Sequence, residues 1–290
     1  MHRVGLVVHP KRPIDGALET VREWSGRHGV DVVQVPAVGQ ERHCAPPGET
    51  ADCDLLLGLG GDGTTLAALR AAMPAGKPVL GVACGSLGAL TAVKAPDLGA
   101  ALDRVHAGDW TARALPALAI TGNTKHLGVN DLVIVRKGAG QVTADVEVDG
   151  ELYIRIAGDG LVVATQVGSS AYTLAAGGPV LAPRALGMVV TPLAPHGGCA
   201  PPLVTAADST LRITVDPGHG GARVEIDGQF EATLDPPAPH ELEVRLEPDR
   251  ATLVALGGEE TMLAGLRRRR ILMDSPRILA RDDRNPVKRV

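Results

Sequence analysis

The sequence predicts two structural halves and a tail. Residues 1–113 read as an α/β domain built on a parallel sheet. Residues 114–258 read as an antiparallel sandwich or barrel-like domain, and residues 259–290 as a basic tail. Three observations carry this. Short apolar runs alternate with helically spaced apolar residues up to about residue 112, the pattern of a parallel sheet covered by helices. From Leu115 onward, β-rich or period-2 runs recur every 8–12 residues with turn residues between them, the pattern of an antiparallel domain. The chain is 44% hydrophobic yet carries only five aromatic residues (Trp24, Trp110, Tyr153, Tyr172 and Phe230), so its cores are built from Val, Leu, Ala and Ile.

The elements follow in order. Residues 4–8 (VGLVV) form a buried strand. Ala17, Leu18, Val21 and Trp24 then recur at helical spacing in a segment that ends near Gly29. Residues 30–35 are β-branched and strand-like. After a Gly/Pro-rich loop, residues 54–59 read as strand and 65–73 as helix. Residues 78–82 are strand again, and 97–107 a helix stopped by Gly108. In the second half the strand runs are 118–121, 132–135, 142–148, 152–156, 161–165, 188–191, 211–215, 223–226, 242–246 and 252–256. Asp149-Gly150, Asp216-Pro217, Asp227-Gly228 and Pro236-Pro237 supply turns. Residues 263–290 hold nine Lys/Arg against three Asp and are expected to be a solvated or partly disordered tail. A phosphate-attracting flap or an interdomain strap is the competing reading.

Composition narrows the function classes. The 290 residues are enough for one large domain or two ordinary ones with real cores. A net charge of −4 argues against a general nucleic-acid binder. No stretch approaches the roughly 20 apolar residues of a membrane span, and the N-terminus (MHRVGLVVHPKRP) lacks a signal-peptide layout. The expectation is a soluble cytoplasmic protein without nucleic-acid or membrane partners. Cys44, Cys53, Cys84 and Cys199 are scattered without a C-x-x-C pair, so neither a zinc site nor a disulfide framework is indicated, and no metal ligands are assigned.

The densest chemical signal is Gly58-Leu59-Gly60-Gly61-Asp62-Gly63-Thr64-Thr65, between a strand and a helix. Glycines there allow a tight turn and close approach of a ligand, and a helix start favours an anion. Three readings compete, beside a purely structural turn capped by Asp62. The string fits G-x-G-x-x-G, but no acidic residue stands about 20 positions on, where the next strand ends Gly81-Val82-Ala83-Cys84. A Walker P-loop needs Lys where Thr64 stands. The third takes Asp62 as the functional centre, a carboxylate in a glycine cradle that orients a hydroxyl or a cation. A second signal runs from Asp159-Gly160 through Gly168-Ser169-Ser170-Ala171-Tyr172 to Gly177-Gly178-Pro179. Here an apolar strand meets a small-residue, hydroxyl-rich turn with a lone tyrosine. This is either a surface for backbone and ring contact with a ligand or core packing at a sheet edge.

Together, Gly60-Gly61-Asp62-Gly63-Thr64, Asn130-Asp131, Asp159-Gly160 with the 168–178 run, Pro195-His196 and Asp227-Gly228-Gln229 resemble the NAD kinase family over residues 50–230. The first motif alone is shared with diacylglycerol kinases, sphingosine kinases and phosphofructokinases. The second motif joined to the Asn-acidic pair is more specific. The resemblance implies an NAD kinase-like fold, with a Rossmann-like N-terminal domain, a β-sandwich C-terminal domain, the nucleotide between them and a tail returning to the first domain. It implies transfer of the γ-phosphoryl of ATP, or a phosphoryl of polyphosphate, to the 2′-hydroxyl of the adenosine ribose of NAD. Mg²⁺ accompanies the donor, and the assembly is a homodimer or homotetramer.

By the same resemblance Asp62 is the general base, and Gly61, Gly63 and Thr64 share its nucleotide-binding loop. Asn130 and Asp131 hold the ribose and adenine of the acceptor, and Asp159 its nicotinamide side. Ser170, Ala171, Tyr172, Thr173 and Ala175 line the adenine and ribose, and Gln229 is a further contact. The chain departs from the family at Ala83 (commonly Asn), Ala89 (commonly aromatic), Asp131 (Glu), Gln166-Val167 (Pro-Thr) and Ala175 (Ser). Further departures are Ala157, where some members carry a basic residue, and Gly197-Gly198, where bulkier residues are usual. Asp131 pulls its carboxylate back by about one C–C bond, roughly 1.5 Å. Lost stacking and hydrogen bonds, about 1 kcal/mol each, bear on the choice of acceptor more than on donor chemistry. Two readings stand beside NAD kinase: a kinase of the same superfamily acting on another nucleotide, nucleoside or lipid hydroxyl, and a non-catalytic nucleotide-binding homologue.

Overall fold

Apolar strands with few polar interruptions lead into the first sheet. In the computed structural model, which describes residues 1–37, 41–122, 124–237, 239–258 and 261–284, these become β1 (Arg3–Val8), β2 (Asp31–Gln34), β3 (Leu55–Gly60) and β4 (Pro78–Ala83). They pair in parallel in the order β4-β3-β1-β2. Every residue of β3 is buried, as a strand covered on both faces must be. The helices that cover them are α1 (Asp15–His28), α2 (Asp62–Ala72) and α3 (Leu98–His106). Ala17, Leu18, Val21 and Trp24 form the buried stripe of α1, which ends at the left-handed Gly29. Trp24 donates its indole N–H to Asp103 of α3 at 2.7 Å, fixing one helix on the other. A two-residue strand, β5 (Val93–Lys94), lies along the end of β4.

The antiparallel half supplies β6 (Thr111–Thr121), β7 (Lys125–Gly128), β8 (Asp131–Arg136), β9 (Val142–Val148), β10 (Glu151–Gly158) and β11 (Gly160–Ala164). The one-turn helix α4 (Tyr172–Ala175) follows. Then come β12 (Val189–Leu193), β13 (Leu203–Val204), β14 (Thr210–Asp216), β15 (Ala222–Ile226), β16 (Gln229–Leu234) and β17 (His240–Ala255). One sheet runs β13-β12-β11-β8-β15-β16. The other joins β10-β9-β14-β17 to β4 and the parallel strands, with β6 along the far edge of β17. Alternating side chains of both sheets, among them Leu118, Ile134, Val146, Leu161, Ile213 and Val244, meet in one core.

β17 differs from its sequence reading. Residues 242–246 and 252–256 looked like separate strands because Pro248-Asp249 between them looks like a turn. They are one strand with a register shift between Glu247 and Ala251. The bulge accommodates Pro248, which has no N–H to donate, and Asp249 at φ +52°. One edge of β17 serves two partners: β14 along its first half, and β4 at Thr252 and Leu253.

Contacts divide the chain into two compact units, Met1–Gly257 and Gly258–Val290. In the second, residues expected to be a solvated or partly disordered tail form α5 (Met262–Arg268) and α6 (Pro276–Arg284). Thr261 caps α5 by accepting the Ala264 N–H at 3.3 Å, and Arg267 pairs with Asp274. The remainder of that tail reading, residues 259–260 and 285–290, lies outside the described residues. Among the described residues no helix is long and apolar enough to cross a membrane.

Candidate functional site

β3 delivers Gly60 and Gly61 to the C-terminal edge of the parallel sheet, and α2 starts at once with Asp62. Thr65 closes the first turn by donating both its N–H (2.9 Å) and its hydroxyl (3.0 Å) to Gly61 O. The half-buried Asp62 turns its carboxylate toward the loop after β4. Oδ2 accepts the Ala89 N–H and Oδ1 the Leu90 N–H, each at 2.9 Å. That loop can come so close only because residue 88 is glycine, since a Cβ there would lie 2.0 Å from Asp62 Oδ1. Arg113, from β6, reaches the same loop through Ala89 O at 3.5 Å. Gly63 is exposed, whereas Thr64 is buried with its hydroxyl packed against Gly60.

Asn130 and Asp131 stand where β8 begins, and a third carboxylate shapes them. Asp227 and Gly228 form the left-handed turn between β15 and β16 (φ +52° and +73°), residue types suited to that geometry. The buried Asp227 carboxylate accepts the N–H groups of Val129 (3.0 Å), Asn130 (2.6 Å) and Asp131 (3.3 Å). Burial pushes the Asp227 carboxyl up, while the donated N–H groups and the Arg70 charge pull it back. Asp131, only 5% exposed, is pushed up to about 7 by burial and by the neighbouring Asp227 and Glu225. Asn130 Oδ1 is buried without a hydrogen-bond partner among the described residues.

The 165–175 turn packs onto this pair. Thr165 N–H donates to Asn130 O at 2.9 Å, and a Cβ on Gly168 would fall 2.0 Å from that oxygen, so Gly168 must be glycine. Ser170 donates its hydroxyl to Val167 O at 3.1 Å. Beyond it Ala171, Tyr172 (42% exposed) and Ala175 face outward, while Thr173 is buried with its hydroxyl unpartnered among the described residues. One wall thus forms where β8 begins, with Asn130 and Asp131 against the 165–170 turn and the exposed Ala171, Tyr172 and Ala175 following it in the chain.

α2 ties this wall to the Asp62 loop. Arg70, about two helical turns beyond Asp62, pairs with Glu231 of β16 and donates to Ile226 O at 3.3 Å. His126 approaches the other Glu231 oxygen at 3.4 Å. A cavity of about 560 Å³ lies alongside and is lined by Gly63 and Arg70 together with Asp227 and Gln229. Sequence reasoning missed Arg70, Glu231 and the accepting role of Asp227. The Asp-Gly dipeptide announced the turn but not what its carboxylate holds.

Asp159 is not brought to this group. It precedes Gly160, at the end of β11 opposite Ala164, the partner of Asp131; that run of strand spans about 13 Å. Asp159 accepts from Arg136 Nε at 2.6 Å. His196, read as either a phosphate or ribose contact or a structural residue, is exposed and meets Gln141 Oε1 at 3.2 Å. Among the described residues no group of three or more His, Cys, Asp or Glu side chains is placed to hold a metal ion.

Comparisons with known proteins agree with this architecture. Residues 4–110 match the ATP-NAD kinase N-terminal domain and residues 129–256 the ATP-NAD kinase C-terminal domain. The NAD kinase of Heliobacterium modesticaldum is 37% identical over 245 residues, covering 79% of this chain and 85% of the relative. NAD kinase 1 of Streptomyces coelicolor is 34% identical, covering 97% and 88%. Among solved structures, an Archaeoglobus fulgidus NAD kinase in complex with ATP superimposes with a TM-score of 0.72 at 25% identity, over 93% of this chain and 100% of that one. Yeast NADH kinase in complex with NADH gives 0.78 at 22% identity, over 95% and 89%, a likeness of fold.

Proposed function

Since the chain belongs to the NAD kinase family and is thus a phosphotransferase acting on a hydroxyl group of NAD, we propose that the Asp62 loop and the Asn130–Tyr172 wall are the two sides of its active site. The acceptor hydroxyl is the 2′-hydroxyl of the adenosine ribose, and the donor is Mg–ATP. The observation that carries this reading is the α2 connection. One helix begins at Asp62 and, through Arg70, is fastened to the hairpin whose Asp227 positions Asn130 and Asp131.

In the reaction a bond forms between the ribose oxygen and the γ-phosphorus as the bond from that phosphorus to the β–γ bridging oxygen breaks. ADP leaves, and the hydroxyl proton passes to Asp62. The Ala89 and Leu90 N–H groups fix Asp62, so the carboxylate is aimed before substrate arrives. Asn130 and Asp131 hold the ribose and adenine, and the exposed ring of Tyr172 offers them a stacking face. Mg²⁺ enters here with ATP as part of the donor. In this reading Gly61, Gly63 and Thr64 shape the donor side, and Gln229 faces the cavity beside Gly63. The four cysteines are free, which suits a reducing cytoplasm. The family's dimer or tetramer is the assembly we expect.

The test is conversion of NAD to NADP by purified protein with Mg–ATP. Asp62→Asn is expected to cut turnover by at least about 10²-fold, the scale of general-base catalysis. Near-normal turnover in that variant removes Asp62 from the chemistry. Phosphorylation of NADH, a nucleoside or a lipid in place of NAD replaces the acceptor.

A further inference from the structure

Phosphoryl transfer through a loose transition state depends on positive charge around the moving group more than on the base. The Asp62 loop has no such charge of its own, because Thr64 stands where a P-loop would carry lysine. The structure brings a cation to it from another part of the chain. β1 ends at Val8, and His9 N–H is tied to Leu59 O at 2.9 Å, so the loop after β1 leaves beside the end of β3. His9 Nδ1 then accepts the N–H groups of Lys11 (3.1 Å) and Arg12 (2.9 Å), which folds the loop back. Two donated N–H groups require an unprotonated Nδ1. Burial and the Arg12 charge, in that order, push the His9 pKa down in the same sense.

The result places the Arg12 guanidinium over two glycine loops at once. Its Nη1 lies 3.4 Å from where a Cβ on Gly61 would stand and 3.3 Å from where one on Gly85 would stand. Those loops are neighbours, since Cys84 N–H donates to Gly60 O at 2.9 Å. From outside, Arg42 holds the Arg12 backbone (Nη1 to Arg12 O, 3.2 Å) and occupies Asp15 at 2.6 Å, the nearest acid along the chain. Among the described residues the Arg12 guanidinium has no carboxylate within ion-pair distance. A guanidinium held at a ligand-approach loop with its fork unspent is suited to bidentate contact with phosphate oxygens.

We propose that Arg12 binds the polyphosphate chain of the donor and neutralises charge on the transferred phosphoryl group. This rests on the assignment of the Asp62 loop to the active site above. The two remain separable because Arg12 acts on the donor and can be read without an acceptor.

The experiment compares the full-length protein with Arg12→Gln and Arg12→Lys. It measures kcat/KM for Mg–ATP, Kd for NAD, and calorimetric binding of Mg–ATP and of inorganic tripolyphosphate in the absence of NAD. Arg12→Gln is expected to lose at least about 10²-fold in kcat/KM for ATP, about tenfold short of the smallest arginine-finger contributions to phosphoryl transfer. Kd for NAD stays within about threefold, binding of both phosphate chains weakens together, and Arg12→Lys recovers part of the loss. An Arg12→Gln enzyme within about threefold of wild type in kcat/KM makes Arg12 a solvated surface charge and overturns the proposal. So does an equal loss of NAD affinity, or a loss confined to ATP with tripolyphosphate binding unchanged. If wild type binds these phosphate chains but phosphorylates no NAD, the acceptor assignment fails instead. Arg12 then stands or falls on whether Arg12→Gln weakens that binding at least about tenfold.

Discussion

Replacing Asp131 by Asn separates a charge from a shape. In the unfolded chain this carboxyl titrates near 3.9. In the folded protein, burial and the nearby Asp227 and Glu225 hold it at about 7. Below about pH 4 both states keep the proton and burial costs no charge. Between there and pH 7 the unfolded chain releases its proton while the folded one retains it, so stability declines with rising pH. Above pH 7 both are ionised and the penalty is constant. Each pH unit in that window is worth about 1.4 kcal/mol, so from pH 5 to pH 8 this one group removes about 3 kcal/mol. Asp131→Asn carries no such term. Urea unfolding at pH 5, 6, 7 and 8 is therefore expected to give a wild-type curve that falls relative to the variant by about that amount, with the variant the more stable at pH 8. NAD affinity is expected to drop in the variant if the carboxylate holds the ribose. Parallel stability curves across the whole range refute the reasoning, because they mean that Asp131 is ionised in the fold at pH 5 or solvated enough not to matter.

Two further outcomes follow from packing. Gly88→Ala places a methyl 2.0 Å from Asp62 Oδ1, so the carboxylate must swing away and leave the Ala89 and Leu90 N–H groups without it. Turnover is expected to fall as far as in Asp62→Asn, with a stability loss of about 1–3 kcal/mol by urea unfolding; unchanged kinetics would show that the aim of Asp62 is immaterial. Glu231→Gln uncouples Arg70, both side chains being 13% exposed in the pair, and is expected to cost about 3 kcal/mol and to raise KM for NAD. A midpoint unchanged within 1 kcal/mol would deny the link between α2 and β16 its structural role.

How far the molecule was legible in its sequence depends on whether the signal is local. The α1 stripe from Ala17 to Trp24 and the full burial of β3 were readable because periodicity and apolar runs are written in adjacent residues. β16 was not, since Gln229–Leu234 begins with Gln-Phe-Glu and leaves Phe230 59% exposed. β17 was split because Pro248-Asp249 carries the local chemistry of a turn, and only pairing with β6 on both sides of the bulge overrides it. The glycine cradle around Asp62 was visible as a motif. Gly88, 26 positions on, could not be connected with it by spacing. Arg70 and Glu231 carried no signal in the sequence, and Asp227 announced only a turn and a family motif, until the fold set the three against one another. Asp159, read as the contact for the nicotinamide side, stands at the other end of β11 from Asp131's partner Ala164.

The shared edge of β17 has a consequence for how the chain comes to be folded. β4 is hydrogen-bonded to Thr252 and Leu253, more than 150 residues after its own last residue. A chain emerging from the ribosome therefore completes β1 to β4 and their helices long before the strand that seals them exists. For most of synthesis part of that edge stands open, protected only by the short β5 at its C-terminal end. Closing it joins segments far apart in sequence, a slow step by loop-closure entropy. Truncation anywhere before residue 252 should thus yield an aggregating N-terminal fragment in place of a free-standing α/β domain.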